Sequence, residues 1–229
     1  TTEKEVCHDS VVMRNVPGAS ATGSLNCKRD YICITKDGSC EGLTKPEVIE
    51  VKNLDEVYYT LSEQMADCWW MFGEGKINYA ESTTLPENQC SVCDQILLDD
   101  SLRDLEGVKD DKISKDSWYD YMSNTNVKGK EITYTEYIFG TKDINEVKRM
   151  ATQEYNIQGS FGNAKVGTQY FLVMGVTSSA SVWKWVGGGV VAGGIVMGAI
   201  AFLAGPPGWI AGAMVIGGVV AGGVGSLET

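Results

Sequence analysis

Residues 187–223, GGGVVAGGIVMGAIAFLAGPPGWIAGAMVIGGVVAGG, carry no charged side chain, and no other stretch of the chain resembles them. An uncharged apolar run of this length needs lipid around it, or burial on every side by protein. Val186–Ala204 as a helix would span about 28 Å, close to the roughly 30 Å hydrocarbon core of a bilayer. Trp209–Val224 would span about 24 Å, slightly short of a full crossing. Between the two, Gly205, Pro206, Pro207 and Gly208 break any helix and permit a tight reversal. A strand–turn–strand arrangement is the alternative. Ala, Met and Gly are poor strand formers, so a helical hairpin is expected.

The glycines of this run are ordered. Gly189 and Gly193, Gly194 and Gly198, and Gly218 and Gly222 are spaced by four, as are Ala213 and Gly217, and Gly217 and Ala221. Small residues at that spacing share one helix face and let a second backbone come close, which holds helices together where hydrophobicity cannot. Trp183, Lys184 and Trp185 precede the first segment as an interfacial belt with a snorkelling lysine would, and Trp209 suits the other boundary. The expected partners are therefore a lipid bilayer and further copies of the chain. Enclosure in the core of a homopolymer is the other way to cover the run.

Lys184 and Glu228 are the only charges in residues 182–229, so the whole net charge of −11 resides in residues 1–181. Two units are expected: an acidic domain, 1–181, in water, and a glycine-rich hairpin, 182–229. The acidic excess argues against nucleic acid, which needs clustered Lys and Arg, and against docking on anionic lipid by charge.

All seven cysteines fall in the acidic part: Cys7, Cys27, Cys33, Cys40, Cys68, Cys90 and Cys93. Such clustering reads as disulfide stapling in an oxidising, extracellular compartment. Cys33 with Cys40, and Cys68 with Cys90 or Cys93, are plausible pairs, and the odd number leaves one thiol free or bridging chains. The opening TTEKEV lacks the apolar core of a signal peptide, so either the first residues are removed in maturation or the chain is not exported by that route.

Hydrophobic spacing gives the elements of the acidic part. Strands are expected near residues 10–14 and 30–35. NLDEVYYTLSEQMADCWWMFGEG sets Leu54, Val57, Tyr58, Leu61, Met65, Cys68, Trp69 and Phe72 on one stripe, predicting a helix over 54–72. Asn53 is its N-cap, and Gly73 or Gly75 its end. KINYA and CSVCDQILL read as strands around a turn at LPENQ, and 99–116 as an exposed loop or short helix. SKDSWYDYMSN is expected to be a helix capped by Ser114. EITYTEYIF reads as a strand, INEVKRMATQEY as a helix and AKVGTQYFLVMGVTS as a strand. The order is mixed, with no regular βαβ rhythm and no internal repeat, so the fold class is α+β.

The chemical motifs are thin. Cys90-Ser-Val-Cys93 could be a redox pair or half a zinc site, but the next residues read as strand and His8 is the sole histidine, so a structural cystine is favoured. His8 reads as a surface residue. Asp99, Asp100, Asp110 and Asp111 lack the spacing of a calcium loop. No nucleophile elbow, zinc-protease helix, phosphate loop or dinucleotide fingerprint is present. No enzyme, cofactor, metal or small-molecule substrate is expected.

ADCWWMFGEGK, followed by C-x-x-C-x-x-I over Cys90 to Ile96, resembles a segment of uncharacterised archaeal membrane-associated cell-surface proteins. The resemblance implies an archaeal cell-surface origin and transfers no functional residue. Taken together, the readings point to a cell-surface structural protein that displays an acidic, disulfide-stapled domain and homo-oligomerises through its hairpin. A pore-forming protein whose hairpins assemble into a channel is the alternative.

Overall fold

The computed structural model describes residues 2–14, 25–75, 88–147, 161–177, 197–204 and 214–216. They form an α+β fold: a mixed sheet, helices packed on one of its faces, and three disulfides.

The first element is a helix, α1 (Glu3–Arg14), where a strand over 10–14 was expected. Its cause is a capping box: the Glu5 amide donates to Thr2 Oγ1 at 3.2 Å and the Thr2 amide donates to Glu5 Oε2 at 2.7 Å. Cys7 and Val11, one helical turn apart, are its buried stripe. Strand β1 (Asp30–Thr35) is where the sequence put it. Strand β2 (Glu47–Glu50) lies parallel to it at the sheet edge. Helix α2 (Leu54–Met71) also matches expectation, with Asn53 Oδ1 accepting from the Glu56 amide at 2.9 Å.

Strand β3 (Asn88–Leu98) pairs parallel with β1 and antiparallel with β6 (Thr168–Thr177). A short strand, β4 (Lys112–Ser114), leads into helix α3 (Lys115–Asn124), whose N-cap is Ser114 as expected. Strand β5 (Asn163–Lys165) pairs with β4. Residues 134–139, expected as strand, are helix α4 (Tyr134–Phe139). Thr133 Oγ1 accepts from the Glu136 amide, and Gly140 closes the helix at a φ of 72°. The apolar residues also fit a helix, since Tyr134, Thr135, Ile138 and Phe139 make one buried stripe.

Two segments of the expected helical hairpin are strands: β7 (Met197–Ala204) and β8 (Met214–Ile216). β7 pairs antiparallel with β6, from Tyr170 opposite Ala204 to Thr177 opposite Met197, and β8 adds beyond it. The physical reason is the second edge of β6, whose backbone groups β7 satisfies; this outweighs the low strand propensity of Ala, Met and Gly. The sheet order is β2-β1-β3-β6-β7-β8. The rest of the hairpin lies outside the described residues, as do KINYA, most of LPENQ and all but the start of INEVKRMATQEY. Among the described residues, no helix is long and apolar enough to cross a membrane.

The core lies between one sheet face and the helices. Ile32 and Ile34 of β1, Ile96 and Leu98 of β3, and Tyr170, Leu172 and Met174 of β6 meet Val57, Leu61, Met65 and Trp69 of α2. The buried Trp118 indole of α3 donates to Ser62 Oγ of α2 at 2.9 Å. Cys7–Cys27 joins α1 to the approach to β1, Cys33–Cys40 pins the loop after β1, and Cys68–Cys93 joins α2 to β3. Cys93 reaches α2 because β3 carries a bulge between Val92 and Asp94, which leaves Cys93 as the extra residue.

Candidate functional site

β1 and β3 are parallel neighbours, so Thr35 and Leu98 end on the same edge of the sheet. The strand following β1 in sequence lies on its other side. A crevice outside the carboxyl ends of parallel strands, where connections diverge, is the usual ligand position in sheets of this kind. Here it is a cleft of about 270 Å³ lined by Asp37, Ser39, Glu41, Leu97, Asp99, Asp100, Ser101 and Gly167.

Its floor is a fixed chain of hydrogen bonds. Ser101 Oγ accepts from the Lys36 amide at 2.9 Å and lies 2.9 Å from Thr35 Oγ1. Thr35 Oγ1 gives its proton to Asp37 Oδ1 at 3.0 Å, so Ser101 donates to Thr35. Asp37 Oδ1 also accepts from the Ser39 hydroxyl at 2.5 Å and the Ser39 amide at 2.9 Å. Those donors, the Ser39 hydroxyl foremost, hold the Asp37 carboxyl below the usual aspartate range. Asp99, nearly buried, caps the short 3₁₀ turn Asp100–Asp104 by accepting from the Ser101 amide at 2.9 Å. Arg103 lies 2.8 Å from both Asp100 Oδ1 and Asp111 Oδ1, so one of the cleft's carboxylates already has a cation beside it.

Four carboxylates and two hydroxyls thus face a cleft that holds no imidazole or thiol. Carboxylates gathered at this density favour a cationic group in the cleft. Among the described residues, no three His, Cys, Asp or Glu side chains converge closely enough to hold a metal ion.

A second polar centre lies at the opposite, amino end of the same strand pair, and the sequence reading missed it. Asp94 faces the core beside Asp30, is 1% exposed, and has no hydrogen-bond partner for either carboxyl oxygen among the described residues. Burial pushes its pKa up to about 8. Burial also lowers Lys115, on α3, to about 8.

The residues singled out from sequence are distributed as follows. Cys7, Cys27, Cys33, Cys40, Cys68 and Cys93 form the three disulfides, with both suggested pairings present and Cys93 as the partner of Cys68. Cys90 sits opposite Gly175 in β3, and its side chain lies outside the described residues. His8 is a packing residue: its ring stacks on Trp70 at 4.2 Å, with Nδ1 donating to the Trp70 carbonyl at 2.8 Å. Asp99 and Asp100 line the cleft, whereas Asp110 and Asp111 form a positive-φ turn beside it. Gly198 lies in β7 opposite Val176. Gly189, Gly193, Gly194, Ala213, Gly217, Gly218, Ala221, Gly222, Trp183, Lys184, Trp185, Trp209 and the 205–208 turn lie outside the described residues. No family model, curated protein or solved structure matches this chain.

Proposed function

We propose that this chain is a cell-surface structural protein: an acidic, disulfide-stapled domain displayed outside the cell and joined to further copies through its glycine-rich C-terminal run. The observation that carries the reading is the set of three disulfides, because bridges that tie α1, β1, α2 and β3 together are favoured in an oxidising compartment. The charge-free run of residues 187–223, with its small residues spaced by four, supports assembly. On this reading the strand-end cleft offers displayed copies a place to hold a cationic group, and the chain works as a structural protein rather than an enzyme.

The test is the mass of the full chain in a mild detergent, under non-reducing conditions. A defined multimer, weakened by Gly193→Ile or Gly217→Ile, is expected, and a clean monomer overturns the assembly. Alkylation supplies the second arm: at least six cysteines must resist labelling until reductant is added. Leakage from dye-loaded vesicles at micromolar protein would favour the pore-forming alternative.

A further inference from the structure

At the amino ends of β1 and β3, Asp94 is closed in by charged groups from four elements. These are Lys4 on α1, Asp30 on β1, Glu47 on β2 and Asp67 on α2; β6 brings the apolar Leu172 to the paired position. Glu3, on α1, acts on Asp30 from the rim. Lys4 Nζ donates to Asp67 Oδ2 at 2.6 Å and Gln64 Oε1 at 3.1 Å, and lies 4.0 Å from Asp30 Oδ2. The ammonium is thus committed to Asp67, and both Asp94 oxygens remain without a hydrogen bond among the described residues. Ionising Asp94 would add an uncompensated charge to a site already holding three carboxylates against one ammonium.

The cover over this site is α1. It is held by Cys7 and Val11 in the core, by the His8–Trp70 stack and by Lys4, and the Cys7–Cys27 bridge ties it to the segment before β1. Among the described residues no backbone hydrogen bond joins α1 to the sheet, so it can lift without breaking a strand ladder.

We propose that Asp94 is a proton-operated latch for α1. With the carboxyl protonated, α1 lies closed and Lys4 stays on Asp67; loss of the proton lifts α1 and lets the carboxylate reach water. The closed state holds a proton that the open state has lost, from the ordinary aspartate pKa of 3.8 up to about 8. Closure therefore weakens as pH rises through that window, by about tenfold per unit, and levels off above it. The latch is independent of whether copies assemble.

Hydrogen exchange on the full chain with its disulfides intact, corrected for intrinsic rates, reads this directly. Between pH 5 and 8, protection of residues 3–14 is expected to fall about tenfold per unit and then level off, while β1 and β3 stay protected. Asp94→Asn should flatten the profile with α1 closed throughout. Lys4→Met, which removes the neighbouring cation, should move the levelling point to higher pH. A flat wild-type profile, or loss of protection in β1 and β3 in step with α1, overturns the latch. If Asp94→Asn does not fold, the direction of the Lys4→Met shift decides.

Discussion

A methyl group on Gly167 would sit 2.2 Å from Asp100 Oδ1, on a backbone whose φ of +73° disfavours any side chain. Gly167→Ala should therefore lower stability by about 2 kcal/mol in denaturant unfolding, from strain and clash together. Adding Asp100→Ala should recover the clash share but not the strain share. Asp94 gives a pH-dependent case. Its folded pKa is raised above 3.8, so the folded chain keeps a proton that the unfolded chain gives up, and stability falls as pH rises. The advantage of Asp94→Asn over wild type should grow from pH 4 to about 8, by up to about 1.4 kcal/mol per unit, then stay constant. Urea midpoints at pH 4, 6, 8 and 9 check it. Asp94 went unread although its signal was present, since it is in phase with the core residues Ile96 and Leu98 of β3. The partner of Cys68 was legible only down to Cys90 or Cys93, because plain alternation puts Cys93 on the face away from Ile96 and only the bulge turns it toward Cys68.

At the scale of elements, what could be read depended on whether a cap and a stripe agreed. α2 has both, Asn53 and its line of apolar residues, and its start was placed to the residue. α1 carries its signal in Thr2 and Glu5, ahead of the β-branched pair Val11–Val12 that suggested a strand. α4 is only six residues long, and its alternation of Thr and Tyr imitates a strand. Thr133→Ala should cost about 1 kcal/mol by leaving the first turn of α4 uncapped, visible as a lower urea midpoint with an unchanged slope. The Cys68–Cys93 bridge spans a sequence separation of 25, and on a chain-entropy estimate the double change Cys68→Ala, Cys93→Ala should cost roughly 3 kcal/mol. The cleft was the least legible feature, because its eight lining residues come from the 37–41 loop, the 97–101 strand end and the Gly167 turn. Only the parallel pairing of β1 and β3 brings the first two together.

At the scale of the whole molecule, residues 197–204 face an exclusive choice. Their amides complete the β6 edge in the described sheet, and the same amides would have to bond four residues back along the chain in a lipid-embedded helix. Both states satisfy the backbone, so solvent and partners decide between them. In water without lipid, the sheet predicts that Ala201→Pro removes a ladder bond from a strand paired on both sides, by β6 and by β8. Exchange of the amides in Tyr170–Thr177 should then rise at least tenfold, while α3 and α4 keep their protection. If those β6 amides exchange equally fast in both proteins, β7 does not cover them in solution. The glycine-rich run would then be free for the helical, copy-to-copy packing that its spacing by four suits.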